Sequence, residues 1–272
     1  MTVVLFLLIC VGSIICLYLL AIMPRIYKKP DMAPFQNWLY AHRGLHDNET
    51  DAPENSLKAF KKAVDGNFGI ELDIQLTKDG IPVVFHDYSL KRICGVEGNV
   101  ADYTYEELQQ FTLGNSMECI PKLEEVLRLV EGKVPLIVEF KMEETDLSLC
   151  VIADELLKRY QGVYCMESFN PLGLLWYRRH RKNVVRGLLS TAFLREKEYN
   201  SPLHYFLQNL LFNFMARPDF IAYNHQYADV WSCRICCRWL GAVSVGWTIK
   251  SKSELERARR FFDWYIFEGF MI

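Results

Sequence analysis

Gly69-Ile70-Glu71-Leu72-Asp73-Ile74-Gln75-Leu76, followed at once by Thr77-Lys78-Asp79-Gly80 and Ile81-Pro82-Val83-Val84-Phe85-His86, decides how this chain is read. Side chains on a strand alternate, so Ile70, Leu72, Ile74 and Leu76 share one face while Glu71, Asp73 and Gln75 share the other. In a barrel the apolar set faces a ring of helices and the acids face the interior. Unpaired negative charge is costly there and calls for a cation or strong hydrogen bonds. Thr77 to Gly80 leave no room for a helix, and Asp79-Gly80 is a hairpin signal, so the next strand folds straight back.

Working outward, β-rich runs recur between helical patterns: Trp38 to Ala41, Ile81 to Phe85, Pro135 to Phe140, Val163 to Phe169, Val184 to Leu189, Phe220 to Tyr223, Val243 to Ile249 and Tyr265 to Phe267. Strands interleaved with helices make a parallel sheet. A helix is expected from Pro53, with Leu57, Phe60 and Val64 along one face and Gly66 past its end. Thr104 with Glu107, and Ser251 with Glu254, read as capping boxes. Eight or nine strands in about 245 residues fit an α/β (β/α)8 TIM barrel, made irregular by the one hairpin.

The head of the chain is different in kind. Val3 to Ile22 carry no charge, and a helix of about 20 residues spans a hydrocarbon core of about 30 Å. Arg25, Lys28 and Lys29 follow it and nothing basic precedes it, so the positive-inside bias puts the rest of the chain in the cytoplasm, on a single-pass cell-membrane anchor. A cleaved signal peptide is the weaker reading, since a basic n-region and a small-x-small cleavage site are both missing. The expected division is residues 1–23 as anchor, 24–37 as tether and 38–272 as barrel. With 31 Lys+Arg against 33 Asp+Glu, the net charge of -2 offers no electrostatic reason to bind nucleic acid. Nine irregularly spaced cysteines argue against a disulfide scaffold. Cys233, Cys236 and Cys237 read as thiols of a helix whose apolar stripe is Trp231, Ile235, Trp239 and Leu240. Leu203 to Met215 reads as an amphipathic barrel helix packing its apolar side, in preference to a helix lying on the membrane.

A third acid repeats the pattern of the second strand: in Leu136-Ile137-Val138-Glu139-Phe140-Lys141, Glu139 and Lys141 share the inner face. Glu71, Asp73 and Glu139 offer only oxygen, which favours a hard divalent cation, Mg²⁺ or Ca²⁺. His42 and His86 each end a strand, and the carboxyl ends of barrel strands form the catalytic face. Two such histidines can serve as base and acid on either side of a displaced group. Arg43 offers a planar fork, and Lys141 a point charge, for phosphate oxygens.

These residues, taken in order, resemble the glycerophosphodiester phosphodiesterase family: His42-Arg43-Gly44, Pro53-Glu54-Asn55-Ser56, Glu71-Leu72-Asp73, Thr77-Lys78-Asp79-Gly80 leading to His86-Asp87, and Glu139-Phe140-Lys141, with weaker echoes in Ser168-Phe169 and Trp247-Thr248. The resemblance implies a TIM barrel in which Glu71, Asp73 and Glu139 hold a divalent ion and His42 and His86 are the acid/base pair. It also implies that Arg43 and Lys141 contact phosphate and that Trp247 lines the alcohol pocket. It implies a metal-dependent hydrolase that splits a glycerophosphodiester into glycerol 3-phosphate and an alcohol. The chain departs from the family pattern where Ser56 replaces a Thr, and where Phe267-Glu268-Gly269-Phe270 stands in place of Thr-Asp-x-Pro. Two alternatives keep the same site: a lysophospholipase D whose anchor holds the barrel mouth near lysophospholipids, and a silent module that binds phospholipid head groups.

Overall fold

A computed structural model describes residues 2–142, 145–196 and 201–271. The strands are β1 (Leu39–Ala41), β2 (Gly69–Leu76), β3 (Pro82–Val84), β4 (Leu136–Phe140), β5 (Tyr164–Ser168), β6 (Val185–Ser190), β7 (Phe220–Asn224), β8 (Val243–Ile249) and β9 (Trp264–Phe267). Helices α1 (Thr2–Ala21), α2 (Leu57–Asp65), α3 (Lys91–Cys94), α4 (Tyr105–Leu108), α5 (Leu123–Val130), α6 (Ser148–Leu157), α7 (Pro171–His180), α8 (Pro202–Gln208), α9 (Asn213–Ala216), α10 (Trp231–Arg238) and α11 (Lys252–Ala258) surround them.

Every strand except β3 pairs in parallel with its neighbours, and β1 pairs with both β2 and β9, which closes an eight-stranded (β/α)8 TIM barrel. Strand β3 is the hairpin exception, antiparallel to β2 with Leu76 opposite Pro82 and Ile74 opposite Val84. Because β3 runs back down, its end returns to the level of Asp73, whose carbonyl accepts from Phe85 N at 3.0 Å.

Two apolar layers hold the barrel. Ile70, Leu72 and Ile74 pack outward with Phe60, Leu123 and Val126 of α2 and α5. Inside, Tyr40, Ile137, Cys165, Phe220, Val245 and Trp264 fill the amino end, sealed by Phe35. Phe220 owes its space to Gly187 across the register, where a Cβ would stand 2.0 Å from the ring. Truncating Phe220 to alanine is expected to cost about 3–5 kcal/mol, read as a lowered urea midpoint at unchanged m-value.

Several expectations need correction. Helix α2 starts at Leu57, not at Pro53, because Ser56 is its N-cap and accepts from Ala59 N. Thr104 and Glu107 do form a capping box. At α11, Ser251 accepts from Glu254 N, but the Glu254 carboxylate reaches Lys250 N. On α10 the buried side chains are Ser232, Cys233 and Cys236, while Trp231 and Trp239 face out at 69% and 76% exposure. The stretch from Leu203 to Met215 is not one packed helix: the backbone turns left-handed at Leu210, and α8 buries none of its side chains. The segment after α1 is held against the barrel. Arg25 N donates to Pro218 O, Arg25 Nη1 to Lys182 O, and Arg217 Nη1 to Met23 O. These partners precede β6 and β7, so the chain enters beneath the amino ends of the strands, opposite the catalytic end.

Candidate active site

The acids meet because the strand register brings them level: Asp73 of β2 lies opposite Glu139 of β4, and Glu139 opposite Glu167 of β5. Glu71, Asp73 and Glu139 are all buried, with ligating oxygens within 4.8 Å of one another. Burial and the charges of Asp73, Glu139 and Glu167 push Glu71 well above the usual carboxylate range. Glu139 is also raised, chiefly by burial and against the pull of Lys141. Burial works the same way on Asp73, yet the charges of His86, Lys141 and Arg43 and the 2.9 Å hydrogen bond from Asn55 overcome it and keep this carboxyl ionised. Its Oδ1 is buried without a hydrogen bond. An all-oxygen trio with opposed charges and an orphaned lone pair fits a hard divalent cation.

Two cations already lean on the trio. Lys141 Nζ sits 2.9 Å from Glu139 and 3.6 Å from Asp73, as the shared inner face of β4 dictates. Arg43 donates its backbone N–H to Glu71 at 3.0 Å and places Nε 3.5 Å from Asp73. Gly44 makes this turn possible: its φ is +83°, and a Cβ there would stand 2.9 Å from the Ala59 carbonyl carbon.

The two histidines are each held at Nδ1. His42 Nδ1 lies 2.5 Å from Glu268 Oε2, and His42 Nε2 lies 3.9 Å from Glu71. Burial, with the charge of Arg43 adding to it, lowers His42 to about 4 despite the Glu268 hydrogen bond. The neutral ring therefore donates Nδ1–H to Glu268 and presents Nε2 as a lone pair. Glu268 also takes Lys250 at 2.8 Å, and it stays ionised because these bonds outweigh its burial. His86 Nδ1 lies 2.5 Å from Asp87 Oδ1. Gln75 fixes that segment by donating to Phe85 O at 2.8 Å and Asp87 O at 2.7 Å.

A chain of charges then links the two sides. Arg43 bonds Glu54 at 2.7 Å, Arg92 bonds Glu54 through both Nη atoms, and the same Arg92 reaches Asp87 at 2.6 Å. Burial opposes the charge on Glu54, but Arg92, Arg43 and Asn48 hold it down to about 2.

His42, Arg43, Glu71, His86, Glu139 and Trp247 line one cavity of about 90 Å³. It adjoins a cleft of about 440 Å³ where Lys141 and Trp247 face Phe169, Phe193 and Leu207. Asp73 lies beneath, fully buried. All eight expected residues thus gather at one place. Glu268, Glu167 and Arg92 are additions. Glu167 shares the inner parity of Cys165, so its position was legible, and Glu268 follows the last strand. Arg92 sits on the one-turn α3, and nothing in the sequence pattern points to it.

The chain matches the model of the glycerophosphoryl diester phosphodiesterase family over residues 42–259. A glycerophosphodiester phosphodiesterase of Caldanaerobacter subterraneus is 30% identical over 236 residues, 80% of this chain and 87% of that one. One of Bacillus altitudinis is 41% identical over 114 residues, 39% of this chain and 45% of its own length. Among solved structures, an Oleispira antarctica phosphodiesterase in complex with the product sn-glycerol-3-phosphate has a TM-score of 0.67 at 24% identity, covering 86% of this chain and 93% of that one.

Proposed function

The chain belongs to the glycerophosphoryl diester phosphodiesterase family, and from that premise we propose that it hydrolyses glycerophosphodiesters to glycerol 3-phosphate and an alcohol. The observation that carries this reading is the convergence of three buried carboxylates and two carboxylate-held histidines on one cavity. Glu71, Asp73 and Glu139 hold one divalent cation, Mg²⁺ or Ca²⁺. When bound, the ion supplies charge neutralisation at the phosphoryl oxygens.

The protein's own groups do the rest. Arg43 and Lys141 orient the phosphate, and Trp247, whose buried Nε1 has no hydrogen bond in the structure, lines the pocket for the glycerol or alcohol. His42, held neutral, takes the proton of the attacking hydroxyl: attack by water gives glycerol 3-phosphate directly, whereas attack by the substrate's own glycerol hydroxyl expels the alcohol and leaves a cyclic phosphodiester that a water molecule then opens to glycerol 3-phosphate. His86, beside ionised Asp87, protonates the leaving oxygen. Glu268 and Asp87 are positioning residues that fix which ring nitrogen faces the substrate.

Residues 1–23 form a single-pass membrane anchor with the barrel on the cytoplasmic side, a reading supported by the 20-residue apolar helix Thr2–Ala21 and by the basic residues after it. Because the chain after the anchor enters at the end opposite the cleft, the anchor does not by itself bring the mouth to lipid. The apolar wall of Phe169, Phe193 and Leu207 is what favours a lysophospholipid as second substrate.

The test is glycerol 3-phosphate release from glycerophosphocholine, with Mg²⁺, Ca²⁺ or a chelator, beside lysophosphatidylcholine turnover. Chelator-sensitive release with glycerophosphocholine preferred is expected. Faster turnover of the lysolipid would make the protein a lysophospholipase D, and ligand binding without turnover in either ion would make it a head-group binding module.

A further inference from the structure

Where the chain leaves α1 it forms a second, wholly different pocket. Arg25, Arg178, Lys182, Arg186 and Arg217 line a cavity of about 370 Å³ together with Met23, Pro24, Ile26 and Tyr27, and no acid is among its lining residues. Asp219, just behind, lies 3.6 Å from Arg25 and 3.9 Å from Arg186. Among the described residues, Arg178, Lys182 and Arg217 have no carboxylate partner, and Arg178 and Arg217 spend donors on backbone carbonyls of Met215 and Met23. Arg186 is 2% exposed, and its Nη1 makes no hydrogen bond. Burial, with repulsion from Arg25 and Arg178 and only Asp219 opposing, lowers it to about 10. Five cations facing a common space with one acid between them form an arrangement that an anion completes.

The position of the pocket says which anion. Helix α1 ends at Ala21, so Met23 to Tyr27 emerge at the depth of the lipid phosphates if α1 spans the bilayer. The surface around the exit suits that depth. Asn213 of α9 donates to Ile22 O at 2.9 Å, and Cys236 of α10 also contacts that carbonyl. Phe214 of α9 and Trp239, just past the end of α10, turn outward there. Aromatic side chains flanking a span, with arginine and lysine beside them, are the dress of a membrane interface.

We propose that this pocket binds the phosphate of an anionic membrane phospholipid and seats the amino end of the barrel on the bilayer. The proposal rests on the anchor reading but not on the catalytic one. Alkaline extraction of membranes tests the anchor separately, since an integral chain resists it.

For the pocket, the full chain is reconstituted in phosphatidylcholine bilayers with or without phosphatidylglycerol, stripped by detergent, and its retained lipids are counted by mass spectrometry. Wild type is expected to retain phosphatidylglycerol above its bulk fraction. Lys182→Gln and Arg217→Gln are each expected to reduce that enrichment about fivefold, the effect of removing one cation near the surface. Among the described residues Lys182 donates no side-chain hydrogen bond, so its variant is expected to keep the fold, which circular dichroism verifies. Equal retention by wild type and both variants overturns the proposal. So does a wild-type protein whose melting temperature rises with inorganic phosphate while phosphatidylglycerol is not enriched, since that outcome assigns the pocket to a soluble anion.

Discussion

His42→Ala is expected to lower kcat on glycerophosphocholine by about 10² to 10⁴, the range for loss of a general acid or base. The geometry makes the case sharper than the residue type does, because the ring is both neutral and pinned. Its Nδ1 is committed to Glu268 at 2.5 Å and its Nε2 faces the acid trio. With His42 lowered to about 4 from its ordinary 6.5, the base is in working form across the neutral range. Glu268→Gln separates positioning from chemistry. An amide in that place still fills the space but accepts through one oxygen and carries no charge, so kcat is expected to fall by less than in His42→Ala, with KM little changed. The stability counterpart has a definite sign. Between about 4 and 6.5 the unfolded chain binds a proton on His42 that the folded chain does not, so folding stability rises with pH through that window and is lost on acidification. Glu268, whose folded carboxyl is depressed, acts in the same direction. A His42→Ala protein with wild-type turnover would sink the assignment.

Much of the fold and the site was legible because strand parity and strand ends obey short-range rules. Alternation in β2 and β4 alone put Glu71, Asp73, Glu139 and Lys141 inside, and the four-residue gap before Ile81 announced β3 as a hairpin. His86 is instructive: it lines the cavity with Glu71 and Glu139, but it is reached by a strand that runs backward beside the barrel, not by a barrel strand. What the sequence concealed depends on distant partners. Glu268 meets His42 across 226 positions and Arg92 meets Glu54 across 38, distances over which no periodicity speaks. The surface helices failed for another reason. Apolar spacing predicts a packed side for Leu203 to Met215 and an apolar stripe for α10, but spacing says only that a face is apolar, not what covers it. Here Trp231, Trp239 and Phe206 are left exposed, and the small Cys233 and Cys236 take the core side instead.

Glu71→Gln is expected to separate activity from stability in opposite directions. Turnover should fall about a thousandfold or more, because the trio loses one of its three charges and with it the several kcal/mol of transition-state charge stabilisation that a bound divalent ion supplies. The metal-free protein should nevertheless be more stable than wild type, by about 1–3 kcal/mol. Glu71 is buried among Asp73, Glu139 and Glu167, and those charges and its burial all oppose its ionised form. A neutral amide of the same shape removes that repulsion and can still accept the Arg43 backbone N–H that bonds Glu71 at 3.0 Å. A strained acid cluster retained at a site is the usual form of the trade between stability and activity. Thermal unfolding in chelator and in excess divalent ion decides the matter. Wild type should gain about 2.7 kcal/mol at an ion concentration a hundredfold above its dissociation constant. The variant should start higher and gain little. The wild-type gain should shrink as pH falls, because raised carboxyls such as Glu71 and Glu139 must give up protons before they can ligate. A Glu71→Gln protein that keeps both its turnover and the full metal-induced shift would place the cation elsewhere, and a variant less stable than wild type in chelator would show that Glu71 serves the fold more than the ion.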